Sequence, residues 1–159
     1  MLEGFGDANW VSDNNEVSST SGYVFTLGGG AISWKSAKQT CISLSTMESE
    51  FIALELAGQE AEWLKGLLVD MPLWGKQATP ISLHCDSQVA IGVAHNSVYN
   101  GKRRHIRIRH SAVKQLLKHG VISLQNVKSE KNLADPLTKG LTRRLVLETS
   151  RGMGLKPVT

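Results

Sequence analysis

A long stretch of helical periodicity, residues 45–71, limits the possible folds of this chain more than any other feature. Its apolar residues recur at the spacing of a helix that packs one face against a core. They are Phe51, Leu54, Ala57, Ala61, Leu64 and Leu68. Pro72 and the segment from Gly75 to Pro80 end the pattern. The sequence therefore predicts one long helix with a buried stripe.

Extended segments lie on both sides of this helix. The β-rich runs are residues 4–10, 22–29, 31–36, 81–86 and 121–127. Gly28, Gly29 and Gly30 join the second run to the third and are typical of a hairpin. Further helices are predicted over 87–97, over 108–119 and from 129 onwards. This order predicts a mixed α/β fold with three antiparallel strands at its start.

The size of the chain and its apolar content suit a single globular domain over residues 1–159. Of its 159 residues, 41% are hydrophobic, and no apolar run approaches the roughly 20 residues of a membrane span. The N-terminus lacks the pattern of a signal peptide. Cys41 and Cys85 lack metal-ligand spacing, so we interpret them as buried thiols of a reducing compartment, with a disulfide as the alternative. These features predict an intracellular protein without a membrane partner.

Positive charge is concentrated in one part of the chain. The net charge is +4, and residues 87–129 contain no Asp or Glu. The cations of this acid-free window are Lys102, Arg103, Arg104, Arg107, Arg109, Lys114, Lys118 and Lys128. Clustered cations without acids favour a polyanionic partner such as nucleic acid. The alternative is a solvated helix face, although such faces normally interleave Glu with Lys.

Four acids stand at the ends of predicted elements: Asp7, Glu48, Asp86 and Asp135. Each has a local explanation as a surface residue, a capping-box partner or a helix cap. For Glu48 the capping box would pair it with Ser45. One sheet topology can nevertheless bring all four carboxylates together, because ligands gather at strand ends. Glu50 and Glu55 are interpreted as ordinary helix acids. Glu55 is expected on the same face as Glu48, two turns on, with an outer contribution to the site as the alternative.

Six motifs resemble one known family. "STSGYVF", "GAISWKS", "STMESEFIAL", "CDSQVAI", "RRHIRIRH" and "NLADPLTKGL" are similar to the ribonuclease H domain of copia-type retrotransposon polyproteins of plants. The resemblance covers about residues 4–155. It implies a ribonuclease H fold, a five-stranded mixed sheet flanked by helices. It also implies an Asp-Glu-Asp-Asp metal site, which falls on Asp7, Glu48, Asp86 and Asp135.

The chain departs from the family at two places. The family commonly has a second Asp where this chain has Asn9, which leaves Asp7 as the acid of that strand. Cellular ribonucleases H often carry a His in the loop before the last helix, and "VKSEKN" has none. Lys128 or Lys131 are the cations available there, so a proton shuttle in this loop is not expected.

Carboxylates suit the implied chemistry. Two divalent ions can activate a water and stabilise the leaving oxygen of a phosphodiester. Mg²⁺ prefers oxygen ligands, which explains acids rather than His or Cys, and Mn²⁺ is expected to substitute for it. Glu48 is thus predicted both to cap its helix and to face two Mg²⁺ ions.

Substrate contacts are predicted around the acids and in the basic window. Small polar residues suit the 2′-hydroxyls and sugars of a hybrid minor groove, and cations suit its phosphates. The predicted substrate-binding residues are Ser45, Thr46, Ser87, Gln88, Lys102, Arg103, Arg104 and Arg107. His105 and His110 are interpreted as structural, with a hybrid contact as the alternative. Trp34 and Trp63 are interpreted as core residues rather than base-stacking platforms.

The resemblance therefore implies a metal-dependent endoribonuclease that cuts the RNA strand of RNA–DNA hybrids during reverse transcription of a retroelement. The expected domain is a monomer excised from a polyprotein in which a reverse transcriptase precedes it. Its expected location is cytoplasmic, in virus-like particles, or nuclear. One alternative is a degenerate domain that only binds nucleic acid or a polymerase. Another is an exonuclease or integrase of the same broad fold, which the "LADPLTK" motif disfavours.

Overall fold

The fold is built on one mixed sheet. The computed structural model describes residues 1–11, 18–72 and 79–158. The strands are β1 (Leu2–Asn9), β2 (Thr20–Leu27), β3 (Gly30–Lys38), β4 (Ile81–Cys85) and β5 (Ile122–Asn126), in the spatial order β3-β2-β1-β4-β5. β2 pairs antiparallel with β1 and β3, while β4 pairs parallel with β1 and β5. The predicted five-stranded mixed sheet with three antiparallel strands at its start is confirmed.

Four α-helices accompany the sheet in the described ranges. They are α1 (Thr46–Val69), α2 (Gln88–His95), α3 (Arg104–Lys118) and α4 (Arg143–Gly152). Ser45 starts α1, because its side chain accepts a hydrogen bond from the Glu48 backbone N–H at 3.2 Å. α3 begins at Arg104, four residues before the predicted start. Gly120, with φ of 66°, follows its end as predicted.

The prediction of a final helix opening at residue 129 is wrong. This segment instead forms two 3₁₀ turns, Ser129–Lys131 and Asp135–Leu137, and α4 starts only at Arg143. The backbone N–H of Leu137 bonds the carbonyl of Ala134, and that of Thr138 bonds Asp135, which is the i→i+3 pattern. Asp135 therefore lies in a tight turn rather than in the first turn of a long helix.

The core lies between the sheet and α1. α1 packs on β1, β2 and β4, and α3 packs on α1 from outside. All six residues of the predicted apolar stripe are buried. A Cβ added to Gly6 would lie 3.6 Å from Ala57 of α1, whereas one on Gly22 would lie 2.9 Å from the Thr138 methyl. The helix and the second 3₁₀ turn thus lie on opposite faces of the sheet, because alternate strand residues face opposite ways.

Two aromatic predictions are wrong. Trp34 and Trp63 are 63% and 60% exposed, not core residues. Trp34 lies on the edge strand β3, and Trp63 lies outside the helical stripe that ends in Ala61, Leu64 and Leu68. Both cysteines are free, Cys85 buried and Cys41 half-buried. None of the helices in the described ranges is long and apolar enough to cross a bilayer.

Candidate functional site

Three of the four predicted acids meet at one end of the sheet. Carboxylate oxygens of Asp7, Asp86 and Asp135 all lie within 4.8 Å of one another. β1 and β4 run side by side in parallel with Gly6 opposite Cys85, so Asp7 and Asp86 occupy adjacent strand positions. Three separate elements thus place negative charge at one point.

Side chains from the 3₁₀ turns fasten this region to β1. Thr138 donates a short hydrogen bond to the Asp7 carboxylate. The buried Asn132 amide donates to the Gly6 carbonyl at 3.0 Å and accepts from the Ala134 N–H at 3.1 Å. Gly22, opposite Asp7 on β2, leaves the space into which Thr138 fits. These contacts explain how a turn, not a helix, delivers Asp135 to the acids.

The helix acid at this cluster is Glu50. One carboxylate oxygen of Glu50 lies within 4.8 Å of both the Cys85 sulfur and an Asp86 oxygen. Asp86 therefore joins Glu50 to the group that it forms with Asp7 and Asp135. Glu50 is 7% exposed, and its Oε2 atom has no hydrogen-bond partner. The interpretation of Glu50 as an ordinary helix acid is wrong.

Glu48 does not join the cluster, which corrects its predicted role beside the metals. Its Oε2 atom lies 2.6 Å from the Arg103 guanidinium and accepts from the Leu44 N–H at 2.7 Å. The reason is helical geometry, since two residues of helix rotate the side chain by about 200°. Glu48 and Glu50 thus face opposite sides. The Ser45 half of the capping box is confirmed, but the Glu48 carboxylate binds the N–H of Leu44 rather than that of Ser45.

Glu55 lies on the same face as Glu48, as predicted. Its Oε2 atom is 2.5 Å from the guanidinium of Arg109. Arg103 immediately precedes α3 and Arg109 lies within it, so two ion pairs fasten α3 to α1. The two buried glutamates of this face are therefore each neutralised by one arginine.

The electrostatics of the cluster differ from those of the outer face. Burial raises the pKa of Glu50 to about 8, and the charges of Asp7 and Asp86 add to the rise. Burial also raises the pKa of Asp7 to about 6, against the lowering effects of the Thr138 hydrogen bond and of Lys139. The Lys139 ammonium lies 2.6 Å from an Asp135 oxygen and 3.7 Å from an Asp7 oxygen.

Four residues of this site were missed or undervalued by sequence reasoning: Glu50, Ser129, Thr138 and Lys139. Ser129 donates a short hydrogen bond to Asp86. A signal for Glu50 was present, because it lies four residues before Leu54 and seven before Ala57 and so shares the face of the buried stripe. Ser129 and Thr138 had no such signal, since their partners are distant in sequence.

Some of the predicted substrate-binding side chains make hydrogen bonds or ion pairs within the protein, and some are exposed to solvent. Ser45 and Ser87 act as helix caps, the Ser87 side chain accepting from Ala90 N–H at 3.1 Å. The Gln88 amide donates to Asn126 at 3.4 Å. Arg103, which is predicted to contact phosphate, is engaged by Glu48 and by the Ile42 carbonyl. The exposed residues of the predicted set are Thr46, Gln88, Lys102, Arg104 and Arg107.

The two histidines of the basic window differ in burial. His110 is buried, its Nε2 atom lies 3.0 Å from the Val93 carbonyl oxygen, and its ring stacks on Phe51. These contacts confirm the structural interpretation of His110. Burial lowers the pKa of His105, and the nearby Arg103 charge lowers it further. His105 is thus disposed to be neutral.

Comparison with curated sequences gives plant retrotransposon polyproteins among the relatives, although no family model matches the chain. The chain is 37% identical over 90% of its length to the retrovirus-related Pol polyprotein from transposon TNT 1-94 of Nicotiana tabacum. It is 30% identical over 89% of its length to that from transposon RE1 of Arabidopsis thaliana. In both cases it spans 10% of the relative's own length.

Solved structures share the fold at low identity. Ribonuclease H1 of Halobacterium salinarum matches with a TM-score of 0.61 and 19% identity, over 86% of this chain and 92% of that one. LC11-RNase H1 in complex with an RNA/DNA hybrid matches with a TM-score of 0.61 and 19% identity, over 86% of this chain and 93% of that one. The foamy viral protease–reverse transcriptase bound to a hybrid matches with a TM-score of 0.57 and 18% identity, over 86% of this chain and 19% of that one.

Proposed function

From its homology to copia-type Pol polyproteins of plant retrotransposons and from its ribonuclease H fold, we propose that this chain is a metal-dependent endoribonuclease. Its substrate is the RNA strand of RNA–DNA hybrids, hydrolysed during reverse transcription. The solved neighbours that contain such hybrids support this substrate class.

One observation carries the proposal: four carboxylates from four different elements converge, and some of their buried oxygens have no partner. Those atoms are Asp7 Oδ1 and Glu50 Oε2. A buried polar atom without a partner is costly, so such atoms mark a place where a ligand is expected. Oxygen donors at this density fit a hard divalent cation, Mg²⁺ or Mn²⁺. Asp7, Glu50, Asp86 and Asp135 are the proposed ligands, with Glu50 in place of Glu48, which the sequence pattern predicts.

The residues around the carboxylates hold them in place. Bound divalent ions, two in the proposed site, would supply a more acidic water and stabilisation of the charge that develops on the phosphodiester. Thr138 orients Asp7 by donating to one of its oxygens, which leaves the other oxygen unpartnered. Ser129 likewise donates to one oxygen of Asp86. Hydrogen bonds of this kind orient ligands and make them more effective.

Substrate binding is assigned to residues beside the site and on the exposed part of the basic window. Lys102, Arg104 and Arg107 project into solvent and are proposed to contact phosphates away from the cleaved bond. Ser45, Thr46, Ser87 and Gln88 remain the proposed contacts to the hybrid minor groove, with the backbone around the two serine caps contributing donors. Arg103 is removed from this set because it belongs to an internal ion pair.

The biological setting follows from the relatives and is part of the proposal. The chain is proposed to act as one domain, monomeric when isolated, of a Pol polyprotein that also contains a reverse transcriptase. The foamy viral neighbour, a protease–reverse transcriptase, is consistent with such an arrangement. Activity in cytoplasmic virus-like particles or in the nucleus would fit a retroelement.

The test is a cleavage assay with matched substrates. The protein should cut the RNA strand of a labelled RNA–DNA hybrid in Mg²⁺ or Mn²⁺, and leave duplex DNA and duplex RNA intact. EDTA should abolish the reaction, and Asp7→Asn should do so without unfolding the protein. Hybrid binding without cleavage in either metal would refute the nuclease and favour the binding-only alternative.

A further inference from the structure

The Lys139 ammonium lies inside the carboxylate cluster. Its Nζ atom is 2.6 Å from Asp135 Oδ1 and 3.7 Å from Asp7 Oδ2, and its side chain is only 34% exposed. Asp135 and Asp7 belong to different elements, so one cation bridges the 3₁₀ turn and β1. A lysine ammonium is charged at neutral pH, and its contacts with two carboxylates favour that form.

The oxygens that Lys139 contacts belong to two of the four residues assigned to metal binding. Asp7 divides its two oxygens: Oδ2 faces Thr138 and Lys139, while Oδ1 is buried without a partner. An ammonium this close to two carboxylates repels a divalent cation entering the same group, and it also reduces the mutual repulsion of the acids. Both effects come from one charge.

We propose that Lys139 is a positioning residue, a resident cation that holds the carboxylate cluster together and lowers its affinity for divalent metal. The inference rests on the proposed function, because it concerns the same metal-binding acids. Its consequence is that this site requires a higher metal concentration than the same four acids would without the lysine.

A lysine that only braces the 3₁₀ turn would behave differently. It would contribute the same stability with and without metal, and its removal would leave or weaken metal affinity. The proposed role requires the opposite pattern, with a loss of stability in EDTA and a gain in metal affinity. The two roles are therefore separated by measurements that do not involve catalysis.

The experiment compares the wild-type chain with Lys139→Gln, whose amide still reaches for Asp135 without a charge. Mn²⁺ binding is followed by electron paramagnetic resonance, and melting temperature is measured in EDTA and in Mn²⁺. We expect Lys139→Gln to bind Mn²⁺ at least about tenfold more tightly, because one repelling unit charge is removed at close range. Its melting temperature should fall in EDTA and return to the wild-type value in saturating Mn²⁺.

Two further variants complete the test. Lys139→Arg keeps the charge and should retain wild-type Mn²⁺ affinity to within about threefold. This expectation can be refuted even if the Gln variant unfolds. Lys131→Gln removes an exposed charge from the neighbouring 3₁₀ turn and should change neither quantity. Unchanged or weaker Mn²⁺ affinity in Lys139→Gln, beside a wild type that binds, would refute this inference alone. No Mn²⁺ binding by either protein would refute the proposed metal site and this inference with it.

Discussion

Both sides of α1 carry buried glutamates, but those on one side lie beside arginines and the one on the other side lies beside carboxylates. Glu48 and Glu55, on the side of α3, are 7% and 5% exposed, and Glu50 on the other side is 7% exposed. Arg103 and Arg109 each neutralise one outer glutamate at contact distance. Glu50 instead faces the carboxylates of Asp7 and Asp86; burial raises its pKa, and these two charges raise it further.

This difference shows that burial does not by itself identify a functional acid. A buried carboxylate with its own arginine is a structural ion pair, and removing either member leaves an unpaired charge. A buried carboxylate with unsatisfied oxygens and like-charged neighbours is unstable until a cation arrives, which marks a functional site. The glutamates of α1 therefore differ in role: Glu48 and Glu55 are held in ion pairs, whereas Glu50 is available to bind a cation.

The largest expected effect compares the two faces directly in catalysis. Glu50→Gln should slow single-turnover cleavage of a hybrid in Mg²⁺ by about 10³-fold or more, which corresponds to about 4 kcal/mol of lost transition-state stabilisation. The reason is the loss of a charged oxygen ligand with little change of shape. The measurement is a quenched-flow or manual time course at saturating enzyme.

Glu48→Gln is the matched control for that change. It keeps the polar side chain at the start of α1 and should cleave within about threefold of wild type, because its carboxylate does not reach the cluster. A severe defect in Glu48→Gln together with normal cleavage by Glu50→Gln would reverse the assignment of the two faces.

The second prediction concerns pH without metal. Folding raises the pKa of Glu50 from 4.5 to about 8 and that of Asp7 from 3.8 to about 6, so the folded state binds these protons more tightly than the unfolded state. The free energy of unfolding should therefore fall as pH rises from about 4 to about 8. The Glu50→Gln variant should lack the part of this loss of stability that comes from Glu50, on the order of 3–5 kcal/mol at pH 8. Urea unfolding in EDTA at several pH values measures this.

Two comparisons sharpen the pH result. At pH 4 the wild type and Glu50→Gln should have nearly equal stability, because Glu50 is protonated in both the folded and unfolded wild type. Mn²⁺ at pH 8 should stabilise the wild type more than the variant. A stability difference that is the same at pH 4 and pH 8 would contradict the unpaired state of Glu50.

The third prediction concerns the ion pair between Glu48 and Arg103. Glu48→Ala should destabilise the protein by about 2 kcal/mol, because it leaves Arg103 partly buried without its partner and Leu44 without an acceptor for its N–H. Arg103→Ala should cost a similar amount, and the double variant should cost clearly less than the sum. Urea titrations of the four proteins give the coupling energy. Strict additivity would show that this ion pair contributes nothing.

The smallest expected effect concerns the exposed cations beside the paired ones. Arg104→Ala and Arg107→Ala should each reduce the slope of log affinity against log salt by roughly 0.9, because each lost phosphate contact releases one counterion fewer. The measurement is fluorescence anisotropy of a labelled hybrid in Ca²⁺. Arg143→Ala, an exposed cation of α4, is the control and should leave the slope unchanged. An unaltered slope in Arg104→Ala and Arg107→Ala would remove this surface from the substrate path.

The sequence predicts most of the fold because its periodicities are local. The stripe from Phe51 to Leu68 and the alternation of Ile81, Leu83 and Cys85 both appear as buried residues. The segment after Asn132 could not be predicted in the same way. Its polar residues suit a helix start, but long-range contacts of Asn132 and Thr138 with β1 form 3₁₀ turns instead. Such contacts leave no periodic trace.

The sequence predicts the acids of the site that the strands carry, but it does not predict which glutamate of α1 joins them. Asp7 and Asp86 follow from the sheet, because parallel neighbours end at the same edge. The choice between Glu48 and Glu50 depended on helical phase, and the capping pattern at Ser45 drew the assignment to the wrong residue. Trp63 was misplaced for the same reason, since it lies off the stripe. Lys139 could not be assigned, because its role arises only when Asp7 is brought to it.

The hydrogen bond between Thr138 and Asp7 joins residues 131 positions apart in the chain. During synthesis β1 precedes Thr138, so Asp7 is made 131 residues before its partner. Contacts at such separation form slowly, because a large loop must close before they stabilise anything. We therefore expect the four acids to come together late in folding, after β1 and β2 have paired. A probe placed on the Thr138–Asp7 pair would report when the four acids come together during folding.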